Sequence, residues 1–165
     1  MFGKKKQPSP SSVLQVLTAA HLVEGTFEGD SPLLYFSKHD QLVLLPLTSV
    51  QIQATGPVDL PTRTCAKFVV VGCNVVALIP RVEITQIAEY EMIRKLNKNP
   101  LPGVFYIGPY VIEGKLMLQI ADLFENPMFM VDVHITSRVP GARWGGLDAP
   151  FASVNTRLLD GYEPR

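Results

Sequence analysis

His21-Leu22-Val23-Glu24-Gly25-Thr26-Phe27 has a counterpart later in the chain, Tyr110-Val111-Ile112-Glu113-Gly114-Lys115-Leu116. Both read, in order, aromatic or His, two aliphatics, Glu, Gly, a polar residue and an apolar one. Gly114 follows Gly25 by 89 positions. A second set of matches recurs at a spacing of 83: Ile52 with Ile135, Pro57 with Pro140, Ala66 with Ala149, Phe68 with Phe151 and Val71 with Val154. One shortening in the second copy, after the Glu-Gly pair, reconciles the two spacings. A repeat outranks any local signal in deciding architecture. This one predicts two copies of one unit.

Each copy reads as strand. Residues 13–28 and 104–118 are long β-branched and aromatic runs, a composition that suits a pleated, half-buried surface. Gly25 and Gly114 within them mark bulges or bends, and Pro109 interrupts the second run. Residues 42–53 alternate, with Ser49 breaking the period. Residues 128–136 alternate cleanly: Met128, Met130, Asp132 and His134 on one parity, Phe129, Val131, Val133 and Ile135 on the other. That is the pattern of half-buried strands. Helical turns carrying an aromatic are expected at 32–39 and 121–127, and Pro/Gly/Thr-rich loops at 56–64 and 140–147. Gly72-Cys73-Asn74 reads as a tight turn between aliphatic strands within 67–80. Asn155-Thr156-Arg157 takes its place in the second copy.

Between the copies, residues 83–99 read as a connecting helix. Thr85 is the N-cap, and Ile84, Ile87, Ala88, Glu91, Met92 and Lys95 follow helical spacing. Asn97-Lys98-Asn99-Pro100 stops it. Residues 1–12, with Lys4-Lys5-Lys6 followed by Pro and Ser, read as a disordered basic tail. The expected organisation is a tail at 1–12, a first β unit at 13–82, the helix at 83–99 and a second β unit at 100–165. The fold class is mainly β: two duplicated small β-barrel or sheet units joined by one α-helix.

Lys and Arg number 15, Asp and Glu 15, for a net charge of +0. No global field therefore draws the chain onto nucleic acid or an anionic membrane. No apolar run reaches the ~18 residues of a membrane-spanning helix. Cys65 and Cys73 form neither a disulfide framework nor a zinc set. Cys73 is expected to act as a small buried hydrophobe, and a reduced, cytoplasmic setting is the simplest reading. His21, His39 and His134 lack metal-ligand spacing, so no metal or cofactor is expected. His134 and Asp132 share a strand parity, which reads as an exposed polar face in preference to an acid–base pair. No phosphate loop, nucleophile elbow or metalloprotease motif is present, and the chain is not expected to be an enzyme.

Four residues stand out for binding. Glu24 and Glu113 recur at one repeat position beside Gly, which reads as a structural carboxylate at a bulge in preference to a shared ligand site. Arg143-Trp144, in Pro140-Gly141-Ala142-Arg143-Trp144-Gly145-Gly146, pairs two residue types favoured at contact hot spots. Their own cation–π stacking is a further expectation.

Val23-Glu24-Gly25-Thr26-Phe27-Glu28-Gly29-Asp30 and Val70-Val71-Gly72-Cys73-Asn74-Val75-Val76 resemble the two motifs of Sm-like small barrels. That resemblance implies rings that bind RNA. Where those motifs carry Arg, this chain has Val71 and, in the second copy, Val154, which removes a base-contacting cation. The pattern is also similar to tandem small β-barrels of bacterial domain families of unknown function, which implies no activity. The expected function is a non-enzymatic interaction or scaffold protein whose partner is another protein or a second copy. The alternative is Sm-like RNA binding, with Lys4, Lys5, Lys6, Lys67 and Arg157 on phosphates.

Overall fold

In the computed structural model, residues 11–28, 44–82, 91, 94–95, 99–117 and 127–165 are described. The chain reverses at Ala19-Ala20. Thr18 Oγ1 donates to the His21 carbonyl and accepts from the His21 N–H, both at 3.1 Å. The run 13–28, expected as one strand, is therefore a hairpin of β1 (Ser11–Thr18) and β2 (His21–Glu28). Ser11 and Ser12, assigned to the tail, already belong to β1. The run 104–118 divides likewise into β6 (Leu101–Ile107) and β7 (Tyr110–Leu116). Its turn is Gly108-Pro109, with Gly108 at φ +52°, where a side chain would be strained.

The other strands are β3 (Leu44–Ala54), β4 (Arg63–Val71), β5 (Val75–Pro80), β8 (Met128–Ser137), β9 (Leu147–Val154) and β10 (Leu159–Pro164). One-turn 3-10 segments, Gly72–Asn74 and Thr156–Leu158, precede β5 and β10. All ten strands join one antiparallel sheet in the order β10-β6-β7-β8-β9-β5-β1-β2-β3-β4. The mainly β class is as expected, and the strands of both expected units lie in one continuous sheet. Its two halves, β5-β1-β2-β3-β4 and β10-β6-β7-β8-β9, run through the same order of equivalent strands. They meet where β5 pairs with β9, Ala77 opposite Val154 and Leu78 opposite Ser153.

The connecting helix falls almost wholly outside the described residues; Glu91, Arg94 and Lys95 have helical backbone. The basic cluster Lys4-Lys5-Lys6 and the helical turns expected at 32–39 and 121–126 also lie outside them, as does the side chain of Cys73. Cys65 is a free thiol.

The Glu-Gly repeat marks a bulge in each half. Between Glu24 and Thr26 the β2–β3 register slips, and between Glu113 and Lys115 the β7–β8 register slips in the same way. The extra residue belongs to the partner strand. Ser49 and Asp132 both sit at φ +52°, a conformation few side chains adopt. The slip reverses the parity of β8. Met128 and Met130 therefore join the same core as Val133 and Ile135, while Phe129 enters the other core. The clean alternation expected for 128–136 is corrected accordingly, since one extra residue flips every side chain beyond it.

Register also corrects the later matches. Gln51 faces Thr64 and His134 faces Asp148, so Thr64 and Asp148 correspond at a spacing of 84, not 83. Cys65 corresponds to Ala149, Lys67 to Phe151 and Val70 to Val154. The β8–β9 loop is one residue longer than the β3–β4 loop. Thr156–Leu158, not 155–157, is the counterpart of Gly72–Asn74. The match holds through β5 and β10: Ala77 faces Leu17 after a register break, and Gly161 faces Tyr106 after the same break.

Two apolar cores result, and each draws on both halves. The first contains Phe105, Ile107, Tyr110 and Ile135 with Leu17, Leu22 and Val76 from the first half. The second contains Leu14, Val16, Leu47 and Leu78 with Met117, Phe129 and Phe151 from the second. Phe129 and Phe151 stack at 5.7 Å. β5 is buried along its whole length, because successive side chains of a strand point to opposite sides and here feed opposite cores.

A Cβ on Gly25 would stand 3.0 Å from Leu47 Cβ and Val50 Cγ2, and one on Gly114 3.1 Å from the Met130 methyl. Gly25→Ala is expected to lower the unfolding free energy by about 1–3 kcal/mol, the usual range for an overpacked core. Gly114→Ala is expected to cost less: both positions meet a partner-strand carbonyl at 3.1 Å, but the side chain nearest Gly114 is the Met130 terminus, which can turn aside. Denaturant titration of the two variants measures both.

Candidate functional site

The loop 138–146 carries Arg143 and Trp144 across to the first half. Arg143 Nη1 donates to Asp59 Oδ2 at 3.0 Å, both side chains exposed. Trp144 is half-buried and meets Tyr110 edge-on, with ring centroids 5.7 Å apart. Arg143 thus engages Asp59, where stacking on its own neighbour was expected. Arg143, Trp144 and the loop 56–62 enclose a groove of about 310 Å³. Beside it lies a more apolar hollow of about 340 Å³ between Val23, Ile52, Leu60 and Phe68, with His21 and Arg63 at its rim. The two concavities share Ala54, Leu60 and Pro61.

The hollow opens beside β4, which among the described residues pairs only with β3. Phe68 (36% exposed) and Val69 (50%) lie on that unpaired strand, and Val58 (62%) and Leu60 (50%) on the loop before it. Large apolar side chains are thus gathered along an edge that has no second partner strand among the described residues. Residue types alone do not single out Phe68 and Val69, since the Lys67–Val71 run reads as a buried strand until its neighbours are known.

Glu24 and Glu113 occupy equivalent places at the two bulges, but four strands separate β2 from β7 in the sheet. Glu24 Oε2 accepts from Gln15 Nε2 at 2.7 Å, and Glu113 Oε2 accepts from Arg165 Nη1 at 3.0 Å. Each is held by a different side chain, not by backbone amides at the bulge. His134 and Asp132 do not pair with each other. His134 Nδ1 lies 2.6 Å from Asp148 Oδ1, and Lys115 Nζ donates to Asp132 at 2.7 Å. All four are exposed, and such pairs contribute only about 0–1 kcal/mol. Among the described residues, no group of three or more His, Cys, Asp or Glu could hold a metal ion.

The polar groups that join the halves are ones the sequence reading passes over. Tyr110, fully buried, donates from its hydroxyl to the Thr18 carbonyl at 2.7 Å and bonds Thr55 Oγ1 at 2.5 Å. Asn155, also buried, donates from its backbone to the Val76 carbonyl and from Nδ2 to the Val75 carbonyl, both at 2.9 Å. Its Oδ1 accepts the Arg157 N–H at 3.1 Å. One side chain therefore extends the β9–β5 pairing and closes the turn before β10. Its position at the end of an aliphatic strand is the sequence signal for it.

Compared with family models, with curated proteins and with solved structures, the chain matches none. Among the described residues, no helix is long and apolar enough to cross a membrane.

Burial pushes the Tyr110 phenol up to about 12 from 10.0, against the opposing pull of the Thr55 hydrogen bond. Between those values the unfolded chain binds fewer protons than the folded one, so stability falls as pH rises from 10.0 to about 12. Below that window Tyr110 leaves stability independent of pH. In a tyrosinate absorbance titration one phenol is expected to ionise late, and Tyr110→Phe is expected to abolish that phase. Asn155→Ala is expected to cost about 1–3 kcal/mol, because the Val75 carbonyl is left buried without its donor. Thermal or denaturant unfolding checks it.

Proposed function

We propose that this chain is a non-enzymatic interaction or scaffold protein that binds its partner along the β4 edge. The supporting observation is the exposed apolar strip of Phe68 and Val69 on a strand with one side unpaired among the described residues. Val58, Leu60 and the groove at Arg143 and Trp144 extend it. Main-chain groups of an open edge supply affinity and the adjacent hollows supply selectivity, the mode of β-strand addition. Tandem duplication of one small β unit, joined by a helix at 83–99, accounts for the repeated strand order and for both bulges. A reducing, cytoplasmic setting fits the free Cys65 thiol.

The RNA reading has less support. Lys67 lies on β4 and Arg157 in the turn before β10, strands at opposite ends of the sheet order.

The test is affinity capture with the full chain, with Val69→Lys as the control. The expected result is a protein partner retained by the native chain and lost from the variant. Equal capture by both removes β4 as the binding edge. Salt-sensitive RNA retention at low ionic strength would favour the alternative.

A further inference from the structure

The β5–β9 junction is a template for a second contact that the single chain leaves unmade. β4 is the counterpart of β9, and β10 is the counterpart of β5. Where they are joined, β9 and β5 bury each other: Ala152, Ser153 and Val154 are 0% exposed and Asn155 4%. Their counterparts on β4, at the spacing of 84 that register fixes, are Phe68, Val69, Val70 and Val71. These are apolar, yet Phe68 and Val69 stand open to solvent. β4 thus has the composition of a paired strand and the exposure of an edge.

We propose that copies of this chain associate head to tail, β4 of one copy pairing antiparallel with β10 of the next. The proposal rests on the interaction reading above and names its partner as a second copy. The internal junction sets the register. Ala77 opposite Val154 and Leu78 opposite Ser153 translate to Gly161 opposite Val70 and Tyr162 opposite Val69. The Asn155 N–H that reaches the Val76 carbonyl translates to the Val71 N–H reaching the Asp160 carbonyl of the next copy.

The hollow beside β4 fits the same arrangement. In the second half, the corresponding side of the sheet is filled by Leu17, Leu22, Val76 and Ile79 of the first half. Their counterparts are Tyr106, Val111, Asp160 and Glu163. An aromatic, an aliphatic and two acids would therefore enter a hollow of about 340 Å³ that is apolar within and carries His21 and Arg63 at its rim. Charge and apolar area are complementary. Because the contact is head to tail, it repeats from copy to copy until a ring closes or a filament grows.

Sedimentation velocity of the full chain over a range of concentrations tests this, with Val69→Lys and Val71→Pro as variants. Val69→Lys places a charge where its counterpart Ser153 is fully buried. Val71→Pro removes the proposed donor at φ −86°, close to the ~−65° that proline requires. The native chain is expected to sediment above the single-chain mass of 18.2 kDa. Both variants are expected to fall to that mass with unchanged far-ultraviolet circular dichroism. If Val71→Pro does not fold, Val69→Lys decides alone. A native chain at single-chain mass throughout overturns the proposal, as does an assembly that survives folded Val69→Lys. Single-chain mass together with partner capture abolished by Val69→Lys would overturn self-association and leave the interaction reading standing.

Discussion

β5 is the constraint on which the structure depends. Among the described residues it is the only place where the two halves share a ladder, and every one of its six residues is buried. Only two residue pairs form that ladder, so its backbone hydrogen bonds are a small part of the contact. Within one chain the second half is already close, so little further entropy is lost on pairing. The contact then extends through side chains. Val75 and Leu78 enter one core, Val76, Ala77 and Ile79 the other. Asn155 occupies the carbonyls at the end of the ladder, where an apolar residue would leave them dry and unpaired.

This explains why the cores are not private to each half. A small β unit buries a low share of its surface. Here each lends apolar residues to its neighbour: Leu17 and Leu22 in one direction, Phe129 and Phe151 in the other. The bulges are part of the device. By reversing parity at Asp132, the second bulge lets β8 place Met130 and Val133 in the same core. A straight strand of the same sequence would send Val133 and Met130 to opposite sides. Gly25 and Gly114 face these bulges because the partner backbone passes too close for a side chain.

The two bulges were legible in the sequence as the recurring Glu-Gly pair, and Ser49 was legible as the residue that breaks the period. The hairpin at Ala19-Ala20 was not, because Thr18 closes it with its own hydroxyl and no turn residue announces it. The single residue added to the β8–β9 loop was hidden by chance identities at the wrong spacing, Phe68 with Phe151 among them. Arg143 and Trp144 were readable as contact residues, but nothing local says that Asp59 and Tyr110 of the same chain receive them. The roles of Tyr110 and Asn155 depend on carbonyls contributed by strands more than seventy positions away, which no window of sequence contains.

The contrast between β5 and β10 bears on what the outer edges are for. The two strands hold corresponding positions in the two halves, yet β10 has Asp160 and Glu163 where β5 has Val76 and Ile79. A strand that is permanently enclosed can be wholly aliphatic, whereas an edge that must stay in solution before it meets a partner needs charge. Asp160 has Arg138 and Glu163 has Tyr106 as neighbours to hold those charges. β4 shows the opposite compromise: Arg63 and Lys67 share the strand with Phe68 and Val69. An acidic edge and a basic, apolar edge on one sheet disfavour like-to-like pairing of either with itself and favour pairing of one with the other. The polarity of the sheet is thus written in the residues by which its matched strands differ, not in those they share.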